Sequence, residues 1–282
     1  MVNKIFYIGE IGINHNGDIN IAKKLIKQAK NSGFDIVKFQ KRNPVKCVPE
    51  SKRNIIRETP WGNMTYLKYK KKIEFNKKEY DIINEYCEML GIRWFASAWD
   101  YDSIKFLKQY KLLFNKIPSN LITNKGFLET IAEQQKYTFI STGMCNLDDV
   151  DNAVNIFREH HCPFCLMHCV SIYPCPEHLC NISMLNTLKQ RYHCDIGYSG
   201  HEEGLIPSVL AATYDICAIE RHITIDRGLW GTDQSVSLEK RGQELLIRDM
   251  NTVKMILGNG IKLFHKLEQN KSDMLRSKNV KK

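Results

Sequence analysis

Eight apolar, strand-like stretches alternate with helix-like ones along most of this chain, and that alternation predicts an α/β fold, a (β/α)8 or TIM barrel. Two further observations point the same way. The strands read as near-continuous apolar runs, as parallel strands buried on both faces should. Polar and charged residues gather at their carboxyl ends, where barrels of this kind carry their function. A doubly wound sheet is the alternative, but Gly9, Gly12 and Gly17 have the wrong spacing for a nucleotide-binding fingerprint after the first strand.

The elements follow in order. A first strand over residues 4–9 leads to an amphipathic helix over 19–32, with Ala22, Leu25, Ile26 and Ala29 at helical spacing and Gly33 as its stop. The second strand covers 34–40. An irregular excursion from 41 to about 73 follows, of the kind that serves more often as a substrate-binding loop than as a linker. A helix over 77–90 precedes a strand over 92–98. A short helix, a strand over 112–117, a further helix and a strand over 137–142 come next. The helix over 147–160 delivers a strand over 164–170. The last strands cover 195–199 and 216–222, separated by a helix over 204–213, and a final helix spans 239–257. Residues 1–258 are thus read as one catalytic barrel and 259–282 as a basic C-terminal tail.

Composition narrows the function classes. At 282 residues and 43% hydrophobic, the chain can bury a large core, yet it contains no run of about 18 apolar residues to span a membrane. The first residues carry too short an apolar stretch for a signal peptide, so a cytoplasmic location is expected, with the ten cysteines reduced. Cys162 and Cys165 match a Cys-x-x-Cys spacing but lack the second pair that a structural zinc site needs. Of the formal charge of +10, half resides in the last 21 residues, which hold seven Lys or Arg against two acids. That is a solvated tail with a single aromatic, Phe264, and no nucleic-acid motif, so neither nucleic acid nor membrane is expected as a partner.

The strand ends carry the chemistry. His201 and His222 close the last two strands, which are neighbours in a closed barrel, so two imidazoles facing across its mouth can hold one divalent cation. Either histidine alone would read as a hydrogen-bonded strand-end residue. Lys38, between Val37 and Phe39, and Lys116, beside Ile117, are lysines among apolar neighbours. With the surrounding hydroxyls they suit a phosphate or carboxylate ligand; alternatively each pairs with an internal carboxylate such as Glu10 or Glu220. His15 and His168 are open between lining the pocket and supporting it from behind.

The blocks Glu10-Ile-Gly-Ile-Asn-His-Asn-Gly17, Val37-Lys-Phe-Gln40, Ser141-Thr-Gly-Met144, Tyr198-Ser-Gly-His201, Ile219-Glu-Arg-His222 and Trp230-Gly-Thr-Asp-Gln234 closely resemble the sialic acid synthase family, in family order over nearly the whole chain. The resemblance implies condensation of phosphoenolpyruvate with an N-acetylated hexosamine, N-acetylmannosamine giving N-acetylneuraminate, and diacetamido sugars giving legionaminate or pseudaminate. It implies a divalent metal, manganese first with magnesium or cobalt as alternatives, held by His201 and His222. It implies that Lys38, Lys116, Ser119, Ser141 and Ser199 cradle phosphoenolpyruvate and that Gln40, Asn63, Tyr173 and Asp233 orient the sugar. Glu10 is the expected acid/base group, counted with Lys38 and Lys116 as catalytic, and a homodimer is the expected assembly.

Two departures from the family pattern stand out. Where many members continue after the fourth strand with Gly-Ser-Gly-Glu, this chain reads Pro118-Ser-Asn-Leu121 and lacks that carboxylate. The chain also stops about where many members begin an antifreeze-like domain, which a separate polypeptide could supply. Residues around the loop 61–66 are expected to choose the sugar. A reading from another class, a catalytically silent barrel that binds a sugar or a partner, is motivated by the same departures. Against it stands the set of charged residues at the strand ends, costly to bury without function.

Overall fold

The structure, a computed structural model, describes residues 5–276. Its eight barrel strands are β1 (Phe6–Gly12), β2 (Ile36–Lys41), β3 (Arg93–Ala98), β4 (Phe114–Ile117), β5 (Tyr137–Ser141), β6 (Phe164–His168), β7 (Asp195–Gly200) and β8 (Ala218–His222). All pair in parallel in the spatial order β3-β2-β1-β8-β7-β6-β5-β4, the order of a (β/α)8 barrel. Only the β3/β4 seam lacks a hydrogen-bonded ladder among the described residues. There the rings of Phe95 and Phe114 meet with centroids 6.0 Å apart. The strand expected from Lys4 starts at Phe6, and Lys4 itself lies outside the described residues.

The intervening helices are α1 (Ile19–Ser32), α2 (Lys77–Leu90), α3 (Tyr101–Leu107), α4 (Lys125–Ala132), α5 (Leu147–Glu159), α6 (Met184–Tyr192), α7 (Ile206–Ala211) and α8 (Lys240–Leu257). Local chemistry explains their bounds. The Asp18 side chain accepts from the Asn20 amide at the start of α1, and Gly33 ends it with φ 97°. Asn76 with Glu79 and Asn146 with Asp149 form capping boxes on α2 and α5. Helix α6 was not expected from the sequence; its apolar face is narrow, with Leu185, Leu188 and Tyr192 buried, and it follows an irregular segment.

Two cores result. Ile8, Ile36, Phe95, Phe139, Cys165, Met167 and Ala218 fill the lower barrel interior, and a larger cluster lies between strands and helices. Above the inner layer the register sets Glu10 opposite both His222 and Lys38, and Glu220 opposite Ser199. Period-2 alternation then sends these side chains up into the barrel mouth. All ten cysteines are free thiols, and no helix of the described residues is long and apolar enough to cross a membrane. Residues 258–276 are almost wholly exposed, with one short helix at Gln269–Leu275; residues 277–282 of the basic tail lie outside the described residues.

The excursion after β2 is ordered. Two single-turn helices (Pro44–Cys47 and Glu50–Arg53) precede a two-stranded hairpin of Ile56–Arg57 with Met64–Thr65 and a helix, Tyr66–Ile73. Met64, Tyr69 and Ile73 pack with Ile13 and Trp230, pinning the excursion to the mouth of the barrel.

Candidate active site

A cavity of about 630 Å³ opens at the carboxyl ends of the strands. Of the residues expected there, Glu10, Lys38, Gln40, Lys116, Ser119, Ser141, Tyr173, Ser199, His201, His222 and Asp233 all line it. Asn63 does not. It sits exposed on the hairpin, whose inward contact is made by Met64 instead. Trp61 and Tyr66 are likewise absent from the lining of the cavity. Trp61 and Tyr69 instead pack edge-on against Trp230, at centroid distances of 6.4 and 5.0 Å.

The floor is a charge network. Lys38 Nζ lies 3.2 Å from Glu10 Oε2 and 3.2 Å from Glu220 Oε1, and Lys116 Nζ donates to Glu220 Oε2 at 3.0 Å. The alternative of internal pairing is therefore what the lysines adopt, and it places them on the cavity floor. Burial acts to lower the Lys38 pKa, but Glu10 and Glu220 outweigh it and the net shift is upward. Burial likewise acts to raise the pKa of Glu220, and Lys116 and Lys38 overcome it, holding the carboxyl well below the usual range. Glu10 accepts from Gln40 Nε2 at 2.6 Å, while its Oε2 accepts no well-formed hydrogen bond beyond the Lys38 ion pair.

A polar wall rises from β4, β5 and β6. Ser119 sits on a one-turn 3-10 helix after Pro118, and its Oγ accepts from the Gly143 amide at 3.1 Å. Ser141, Ser171 and Asn120 line the same side. Hydroxyls and an ammonium converging in this way suit an anionic oxygen cluster.

The histidine pair forms the opposite wall. The His201 and His222 ring centroids are 5.6 Å apart, and the Tyr173 ring lies tilted against His201 at 4.1 Å. His201 donates from Nδ1 to the Val170 carbonyl at 2.8 Å, which leaves Nε2 with a free lone pair. Burial first, then His222, pushes the His201 pKa down to about 3, so the ring is neutral and able to ligate. His222 Nδ1 is buried without a hydrogen-bond partner, 3.9 Å from Asp233 Oδ2. Two imidazoles with unengaged nitrogens fit a divalent cation gripped at two points. No group of three or more His, Cys, Asp or Glu among the described residues forms a complete protein cage.

The Asn14–Asn16 motif acts behind the site. Asn16 Nδ2 donates to the Trp230 carbonyl, Asn14 Nδ2 to the Ser237 hydroxyl, and Gln234 Nε2 to the Asn14 carbonyl. These bonds hold the loop that presents Asp233. His15 stacks on Phe75 at 3.9 Å and His168 bonds the Cys180 carbonyl, so both support the pocket without lining it.

Two lining cations escaped the sequence reading. Arg42 continues the alternation of Lys38 and Gln40 on β2, a signal that was available. Its guanidinium lies 3.9 Å over the Trp99 ring and bonds Gln40 Oε1. Lys70, on the excursion helix, is pushed down to about 8 by burial and by Arg42. It is one of four lysines in that helix, and nothing local marks it as the inward one.

The comparisons agree with one another. The sequence model of the NeuB family matches residues 25–262. N,N'-diacetyllegionaminic acid synthase of Campylobacter jejuni is 32% identical, across 100% of this chain and 86% of its own length. N-acetylneuraminate-9-phosphate synthase of Drosophila melanogaster is 36% identical, across 90% of this chain and 69% of its own. The crystal structure of N-acetylneuraminic acid synthetase from Leptospira borgpetersenii superposes with a TM-score of 0.86 at 32% identity, covering 99% of this chain and 94% of that one. A Thermotoga maritima DAHP synthase, at 12% identity and a TM-score of 0.69, shares the fold alone.

Proposed function

Since the chain belongs to the NeuB family of sialic acid synthases and is an enzyme, we propose that it condenses phosphoenolpyruvate with an N-acetylated hexosamine, N-acetylmannosamine first, to a nonulosonic acid with release of phosphate. The observation that carries this reading is one cavity holding a histidine pair opposite a lysine–glutamate floor and a serine wall. Similarity along the whole of this chain to a diacetyllegionaminic acid synthase supports a second reading, in which the sugar is a diacetamido one.

In this reading Lys116, Ser119, Ser141 and Ser199 hold the phosphate and carboxylate of phosphoenolpyruvate, and Lys38 keeps the floor charged beneath them. Gln40, Tyr173 and Asp233 orient the sugar hydroxyls, with Arg42 and Lys70 at the outer rim. His201 and His222 would hold a divalent cation, manganese first, whose chemistry is Lewis-acid polarisation of the sugar aldehyde. Carbon 3 of the enol attacks the aldehyde carbon, whose oxygen takes a proton from water in the pocket, leaving positive charge at carbon 2. Water then adds at carbon 2, giving its proton to Glu10, and the new hydroxyl loses its remaining proton as the tetrahedral carbon expels phosphate. Glu10 thus carries the share of proton transfer that the absent carboxylate near Leu121 would have taken.

We place the enzyme in the cytoplasm, where ten free thiols stay reduced, and as a homodimer. The support for the dimer is an apolar groove of about 440 Å³ between α7 and α8, where Ile206 is 74% and Leu210 47% exposed.

Phosphate release with manganese, offering each sugar in turn and weighing the product by mass spectrometry, tests the function. Sugar-dependent release is expected, abolished by chelator and cut at least about a hundredfold in His201→Ala. No turnover from folded, metal-loaded protein with any sugar would sink the proposal for the chain acting alone. Turnover that appears only with an added antifreeze-like domain protein would make that protein a required partner.

A further inference from the structure

His201 directly follows β7 and His222 ends β8, and something must set the distance between them. On the outer side of those strands, away from the cavity, Glu202 follows His201 and Arg221 precedes His222, and both are fully buried. Arg221 Nη1 donates to Glu202 Oε1 at 2.9 Å, to Ser208 Oγ at 2.8 Å and to the Gly204 carbonyl at 3.0 Å. Arg221 Nη2 donates to the Glu202 carbonyl. The Glu202 carboxylate also accepts from the Tyr198 and Ser208 hydroxyls, at 2.9 and 2.5 Å. Neither partner is counted in the site described above.

A buried ion pair is weak evidence for stability, because desolvation cancels much of the attraction. What this pair supplies is geometry. It spans from β8 to the second residue after β7 and locks the first turn beyond β7 through two carbonyls. The chain also keeps room for it. A Cβ on Gly200, opposite Arg221 in the ladder, would collide with the Glu202 carboxylate and lie 2.9 Å from Arg221 Cδ. The glycine and glutamate of Gly200-His-Glu202 and the arginine of Glu220-Arg-His222 are thereby explained by one contact.

We infer that the Arg221–Glu202 pair is a positioning device that holds His201 and His222 at ligating separation, acting through the strand ends rather than on substrate. The inference rests on the reading of those histidines as a metal pair. Arg221 and Glu202 are positioning residues, since they touch no reacting atom.

The test replaces the pair by a neutral one of similar volume, Glu202→Gln with Arg221→Met, so that no buried charge is orphaned. Mn2+ binding is followed by electron paramagnetic resonance without substrate, alongside thermal unfolding and steady-state kinetics. The expected variant is folded, binds Mn2+ about 10- to 100-fold more weakly, and recovers kcat in excess Mn2+. A folded variant with the parent's Mn2+ affinity overturns the inference, leaving the pair a structural contact only. Should the double variant not fold, Tyr198→Phe with Ser208→Ala removes two donors to Glu202 without unpairing it. Weaker Mn2+ binding is again expected there, and parental affinity again overturns. If the parent itself binds no Mn2+, the metal reading falls, and the imidazole 15N spectrum of the metal-free protein decides. Shifted His201 and His222 signals in the variant uphold the positioning role, and unshifted ones overturn it.

Discussion

At the scale of single residues, the informative signal was charge in the wrong place. Lys38 and Lys116 stand in apolar strands, and the structure gives both the same answer through Glu220, which receives one lysine on each carboxylate oxygen. His15 shows the opposite case, a buried base that must stay neutral. Its Nδ1 accepts from the Gly17 amide, and burial, with Arg42 next, lowers its pKa to about 3. Between about 3 and 6.5 the unfolded chain therefore binds a proton that the folded chain does not. The stability that the neutral ring contributes is complete above about 6.5 and is lost as pH falls through that window, at up to about 1.4 kcal/mol per pH unit. Denaturant unfolding at a series of pH values checks this; in His15→Gln the slope should fall by about one proton. The sequence left His15 open between lining the pocket and supporting it, since pocket and support lie within one turn of each other.

Among elements, the regular ones were legible and the excursion was not. Helices α1 and α2 start and stop where Asp18, Gly33, Asn76 and Gly91 dictate, because caps and hydrophobic period are local properties. The segment 41–73 was expected as a substrate loop, and it does shape the mouth, but through Arg42 and Lys70 rather than Asn63. Its placement depends on Gly17, which has φ 73° and where a Cβ would lie 2.5 Å from the Lys72 carbonyl oxygen. Gly17→Ala is expected to lower stability by about 1–3 kcal/mol and to push the helix Tyr66–Ile73 off the barrel. Calorimetry reads the first effect. The second should raise KM for the sugar more than KM for phosphoenolpyruvate, because Lys70 moves while the serine wall stays.

At the scale of the whole molecule, the proposed homodimer has a surface on which it can be tested. Large apolar side chains lie open on α7, and Met255, Ile256 and Leu257 extend the exposure at the end of α8. Sedimentation equilibrium is expected to find two chains, and Ile206→Lys with Leu210→Lys is expected to give a folded single chain. By itself the sequence determined the barrel and eleven of the residues that line the cavity at its carboxyl end, because strand and helix periods and strand-end composition are written in neighbouring residues. Only the tertiary structure decided that Lys38 spends its charge on Glu10 and Glu220. The same holds for Arg221 reaching Glu202 behind the histidines and for Asn63 facing away from the cavity. Those outcomes depend on distances between residues far apart in the chain and on which face an irregular loop turns inward, and neither has a local signature.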